Sequence, residues 1–188
     1  MNRISFFDNS HSAYSKGGSF LALLFLIPVV LGCGGGVSAP QTPEGSTVDI
    51  LMLFDANIDE KADDDVKAEH QRIADWMQND LIQRFEAGGY RVTMTDDVTQ
   101  FTPGKGKFLL VVKMSEFVPA SATTLEERGF GPGTTIIDTY SELFKDNHTI
   151  PRFRLKKGHV SAMKWEVCAE EVTSNVAKDI SKTINELY

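Results

Sequence analysis

The chain predicts an α+β domain, a mixed or antiparallel sheet of about five strands with two amphipathic helices packed on one face. Two observations carry this. Apolar residues recur at three- and four-residue spacings in two long stretches, one early and one at the end. Between them lie consecutive short runs rich in β-branched and aromatic residues, separated by Gly, Pro and Asn. The implied order is β-α-β-β-β-β-α, and we find no internal repeat.

The first strand is read at Thr47–Phe54, a nearly continuous apolar run of the kind covered on both faces. Asp55 to Asp65 is acidic and reads as a loop entering a helix, whose N-terminus favours negative charge. The helix is placed at Asp64–Ala87, with Ile73, Trp76, Met77, Leu81 and Phe85 forming its apolar stripe. His70 falls on its polar side, near Glu69, and is expected at the surface. Gly88-Gly89 ends the helix, because glycine adopts the left-handed cap most easily. Tyr90–Asp96 alternates apolar and polar residues, a half-buried strand.

Thr102-Pro-Gly-Lys-Gly106 reads as a turn, and Lys107–Phe117 as an interior strand. Pro119 to Gly133 is a longer connection ending in Gly129-Phe130-Gly131-Pro132-Gly133. Thr134–Phe144 is a further strand, and Asp146-Asn147 supplies turn chemistry. The returning strand is read at Thr149–Leu155, and Pro151 near its start makes it an edge. The last helix is read at Ala162–Leu187, with Trp165, Ala169, Val172, Val176, Ile180, Ile184 and Leu187 as its stripe.

Upstream of this domain stands Phe20–Leu31, an apolar run of 12 residues, then Gly32 and Cys33. A transmembrane helix needs about 20 such residues; a secretory signal needs about 7–15. Arg3 and Lys16 precede the run against Asp8 alone, the positive flank of a signal. Val30-Leu31-Gly32-Cys33 resembles the lipobox of bacterial lipoproteins. The resemblance implies that residues 1–32 are removed and that Cys33 carries lipid. An uncleaved anchor, or ordinary cleavage without lipid, shares the hydrophobic pattern. Residues 33–46 read as a flexible linker, spanning about 20 Å on average, and residues 47–188 as a single domain. Gly34 follows the cysteine where an Asp would favour inner-membrane retention in enteric bacteria, so the expected location is the outer membrane, facing the periplasm.

Loss of residues 1–32 takes 19 basic and 26 acidic side chains to 17 and 25, a formal charge of −8. Such a domain gains nothing from nucleic acid, whose binding rests on phosphate neutralisation. Arg152, Arg154, Lys156 and Lys157 form one basic cluster, with Lys164 nearby. They read as a solvated strand face, or as a contact for anionic lipid or cell-wall polymer. With Cys33 lipidated, Cys168 has no intramolecular partner and reads as a small buried hydrophobe.

Motifs for chemistry are scarce. Asp55, Asn57, Asp59 and Asp63 take positions of a calcium loop, but Glu60 stands where the sharp turn needs glycine and Val66 where the bidentate Glu belongs. His70, His148 and His159 lack metal-ligand spacing. Gly129 to Gly133 lacks the Lys-Ser/Thr of a phosphate loop and is followed by a strand. No nucleophile elbow or HExxH is present. No cofactor is implied, and the expected class is non-enzymatic.

A lipobox, a helix ending in Gly88-Gly89-Tyr90-Arg91-Val92, a strand ending in Phe117, the segment Gly129-Phe130-Gly131-Pro132-Gly133, the turn Asp146-Asn147-His148-Thr149 and a terminal amphipathic helix resemble the bacterial lipoprotein family called domain of unknown function 4410. The likeness spans about Thr47 to Tyr188. Pro132 and Ile150 depart from the residues usual in that family. The order of elements is also similar to the TolB N-terminal-like and curli-secretion lipoprotein α/β domain. These likenesses imply a non-catalytic interaction or scaffold domain that contacts envelope proteins, with self-association left open. On this reading Gly129, Phe130, Gly131 and Gly133 form a contact loop. The alternative is a binding module for a cell-wall glycan or small anionic ligand, using Arg152, Arg154, Lys156 and Lys157.

Overall fold

A computed structural model describes residues 41–43, 45–119, 134–161 and 164–188. The elements are β1 (Asp49–Asp55), α1 (Asp64–Ala87), β2 (Arg91–Met94), a 3-10 turn (Val98–Gln100), β3 (Lys107–Val118), β4 (Thr135–Phe144), β5 (Phe153–Ser161) and α2 (Trp165–Leu187). The sheet order is β2-β1-β3-β4-β5. β1 is parallel to both β2 and β3, whereas β3–β4 and β4–β5 are antiparallel, so the sheet is mixed.

Strand periodicity separates the two faces. Phe108, Leu110, Val112 and Met114 of β3, with Ile137 and Leu143 of β4, share one core with Ile73, Met77, Leu81 and Phe85 of α1 and Val172, Val176, Ile180 and Ile184 of α2. Both helices therefore cover the same face, as the sequence predicts. Each of these side chains, once buried, contributes about 1.5–3 kcal/mol relative to leaving it exposed. On the opposite face, Leu109 and Phe144 form a smaller cluster with Phe101, joined by Leu51, Val98 and Val111. Parallel strands need a crossover; the β2-to-β3 connection passes over this second face and lays Val98 and Phe101 on it. The sequence did not predict the 3-10 turn. Asp97 caps it, accepting from the Thr99 amide at 2.8 Å and its hydroxyl at 2.7 Å, and these bonds hold its carboxyl below the usual range.

α1 ends as its glycines predict. Gly89 has φ +86°. The Tyr90 amide donates to Phe85 O at 3.1 Å and the Gly89 amide to Glu86 O at 2.9 Å, the paired bonds of a Schellman cap. The accompanying apolar contact is Tyr90 edge-on to Phe85, with ring centroids 5.7 Å apart.

β5 differs from expectation. It starts at Phe153 rather than Thr149 and runs on to Ser161. Asn147 is the cause. Its side-chain oxygen accepts from the amides of Thr149 at 2.9 Å and Ile150 at 2.7 Å, which closes a turn. Pro151 then has no amide for the ladder. α2 starts at Trp165, with Lys164 extended before it; Ala162 lies outside the described residues. Residues near the end of the stretch read as linker are tied to the domain. The Thr42 amide donates to Gly88 O at 2.9 Å, and the Tyr90 hydroxyl to Gln41 O at 2.8 Å.

Candidate functional site

Cys33 lies outside the described residues, as do Gly129, Phe130, Gly131 and Gly133. The four basic residues do not form one face. Strand alternation sends Arg154 and Lys156 to the face without helices and Lys157 to the helix side, while Arg152 sits before β5. Each is ion-paired. Arg152 Nε reaches Asp146 at 2.7 Å, Arg154 Nε reaches Glu142 at 2.9 Å, and Lys156 Nζ reaches Asp138 at 3.0 Å. Lys157 Nζ reaches Asp179 of α2 at 2.7 Å. A polyanion would have to compete with these carboxylates.

The helix-free face carries further pairs, Arg91–Asp49 at 2.6 Å and Lys113–Asp55 at 3.3 Å. A cleft of about 500 Å³ opens there, lined by Asp49, Leu51, Arg91, Gln100, Phe101 and Lys107 among others. β5 occupies one end of the sheet order, so one side of its ladder has no strand beyond it among the described residues. Along it Arg154, Lys156, Gly158 and Val160 are exposed, with Val160 at 47%. Charged residues along an edge limit unselective pairing.

His70 corrects the sequence reading. It is buried, 9% exposed, rather than on the surface. The ladder between β3 and β4 shifts register between Met114 and Glu116. Beyond that bulge Phe117 turns toward the helix side, and its ring meets the His70 ring with centroids 4.8 Å apart. Burial holds the imidazole below its ordinary pKa, and a hydrogen bond to the Ala56 backbone opposes this in part. Helical periodicity alone assigned His70 to the polar side; the partner that buries it comes from a strand irregularity with no sequence signal.

In the acidic loop, Asp55 accepts from the Asn57 amide at 2.8 Å and Asp59 from the Lys61 amide at 2.9 Å. Among the described residues no group of three His, Cys, Asp or Glu could hold a metal ion. Among them too, no helix is long and apolar enough to cross a membrane. Cys168 is buried, and its thiol donates to His159 O at 2.9 Å.

No family model matches this chain, so the domain of unknown function 4410 is not established by that comparison, and no curated protein matches it either. Several solved structures are similar. A protein of domain-of-unknown-function family 330 from Xanthomonas campestris is 10% identical and covers 79% of this chain and 95% of its own, with a TM-score of 0.48. The PelC dodecamer from Paraburkholderia phytofirmans is 15% identical, covering 79% and 92% at a TM-score of 0.40. Uncharacterized lipoprotein B from Nitrosomonas europaea is 5% identical, covering 79% and 87% at a TM-score of 0.36.

Proposed function

We propose that this protein is a lipid-anchored lipoprotein of the cell envelope whose domain docks on other envelope proteins without catalysing a reaction. The anchor is Cys33, and the expected location is the outer membrane, facing the periplasm. What supports the anchor is the sequence Val30-Leu31-Gly32-Cys33 behind an apolar run too short to span a bilayer. The observation that carries the docking role is the edge strand β5 (Phe153–Ser161), which ends the sheet among the described residues. Its outward backbone groups can pair with an extended segment of a partner, and strand addition of this kind draws affinity from main-chain hydrogen bonds. The alternative, capture of an anionic ligand by Arg152, Arg154, Lys156 and Lys157, is weakened by the ion pair each of them makes.

The test places a photocrosslinking amino acid at the exposed Val160 of β5 and, separately, at Gln83 on the exposed face of α1, in full-length protein in native membranes. The expected result is a discrete protein adduct from Val160 and none from Gln83. No adduct at β5, or the same smear from both positions, overturns the docking role. Cys33→Ser protein that still sediments with membranes overturns the anchor.

A further inference from the structure

The chain comes into the domain at one end of the sheet. The Gln41 carbonyl accepts from the Tyr90 hydroxyl at 2.8 Å and from Asn185 Nδ2 at 3.1 Å, and the Thr42 amide donates to Gly88 O at 2.9 Å. These bonds hold it against the C-terminal ends of α1 and α2. Eight residue steps separate Cys33 from Gln41, at most about 29 Å of fully extended chain. α1 has 24 residues and is about 36 Å long, so its first turn lies at the far end.

The direction of the strands brings other features to the near end. Asp49 pairs with Arg91 and Lys107, Leu109 with Phe144, and Leu143 with Phe153. β1, β2, β3 and β5 therefore begin here and β4 ends here, so the turns 102–106 and 145–152 both project from this end. Lys145 donates to Leu187 O, and the Tyr188 ring lies beside Gly106, which ties the end of α2 to both turns. Ile150 is 68% exposed and Tyr188 45%. The Ile150 amide donates to Asn147 at 2.7 Å, so this apolar side chain is presented on a closed turn. Lys105 and Lys107 are exposed, and neither makes an ion pair among the described residues. Glu86 and Glu186 sit at the same end and offset the lysines, so net charge gives no preference for anionic lipid. An isoleucine, a tyrosine and lysines together suit a headgroup layer, where apolar bodies go inward and polar tips stay wet.

We propose that this end of the domain rests on the bilayer, with Ile150 and Tyr188 entering the headgroup layer and Lys105 and Lys107 donating to lipid phosphates. The inference rests on the Cys33 anchor. Two such side chains bind a bilayer weakly by themselves. A short covalent tether makes the contact intramolecular, at an effective concentration in the millimolar range, so a weak contact stays closed. The start of α1 and Val160 of β5 then point away from lipid, and the distal part of the β5 edge stays open to a protein partner.

The test uses full-length protein from native membranes, 15N-labelled and reconstituted into phosphatidylcholine nanodiscs, with and without a lipid carrying a gadolinium chelate on its headgroup. Intact mass is read on the same sample. The amide peaks of Lys105 and Thr149 are expected to be lost with the gadolinium lipid, and those of Lys61 and Val160 to persist. Ile150→Ser is expected to bring the lost peaks back, since it changes an exposed side chain and leaves the backbone bonds to Asn147 in place. Equal loss at both ends, or loss at Lys61 and Val160 alone, overturns the proposal. So does an Ile150→Ser pattern identical to wild type, which assigns the gradient to the tether. Persistence of all four peaks overturns it too. The mass decides the anchor separately: a lipid-bearing mass with four persistent peaks sinks the contact alone, and an unacylated mass with the same peaks sinks both.

Discussion

Thr173 of α2 donates its hydroxyl to the Asp80 carboxylate of α1 at 2.5 Å, and this is a polar bolt through the contact between the two helices. Asp80 also receives Arg84 Nε at 2.6 Å, one turn along its own helix. Thr173 is fully buried. The helix carbonyls of Ala169 and Glu170 lie 2.9 and 3.1 Å from the same hydroxyl. One hydroxyl has one proton, and a charged acceptor binds it more strongly than a carbonyl does.

Thr173→Val keeps the shape and removes the donor. Asp80 retains Arg84, so the expected loss is about 1–3 kcal/mol, the range for a hydrogen bond to a charged group or a buried group left unmatched. Denaturant unfolding of the full chain measures it. A loss below about 0.5 kcal/mol would mean that the hydroxyl bonds its own helix instead.

Gly158 of β5 faces Asp138 of β4 directly. A Cβ built at Gly158 would lie 1.8 Å from Asp138 Oδ1. The bare strand position is what lets Asp138 lie across β5 and reach Lys156. Gly158→Ala is expected to push Asp138 aside and cost about 1 kcal/mol, the upper value of an exposed ion pair. In an Asp138→Ala background the same change is expected to be neutral or stabilising, since alanine suits a strand better than glycine. Additive effects in the double-mutant cycle would refute this coupling.

Cys168 is buried and its thiol is hydrogen-bonded, so a thiol reagent is expected to react slowly with native protein. After denaturation, the proposed thioether at Cys33 leaves Cys168 as the sole free thiol. Titration of denatured protein purified from membranes is expected to find one thiol per chain. Two thiols would exclude lipidation at Cys33.

The His70 pKa lies below its ordinary value because burial disfavours the imidazolium. Below a pH of about 6.5 the unfolded chain takes up a proton there that the folded chain resists. Stability contributed by this residue is therefore complete above that pH and falls as the pH drops toward the folded value. His70→Phe is expected to flatten the pH dependence of stability below about 6.5. A variant with the wild-type slope across that window would refute the assignment.

Much of the fold was legible because its signals are local. The stripes of α1 and α2, the Gly88-Gly89 stop and the apolar run of β3 each report on neighbours within a few residues. Ile73, Met77, Leu81 and Phe85 could be assigned to a core without knowing what they touch. The start of β5 was misplaced because Thr149 and Ile150 have strand composition, while the Asn147 side chain captures their amides.

From the sequence alone came the α+β class, the order of elements and the apolar stripes of both helices. Periodicity and composition suffice for those, since each depends on spacing along the chain. The sheet order, the ion pairs that divide Arg154 and Lys156 from Lys157, the bulge that brings Phe117 to His70 and the bond from Thr173 to Asp80 were decided by tertiary structure. These join residues distant in the chain, and their energies exist only once strand register and helix packing bring the groups within bonding distance.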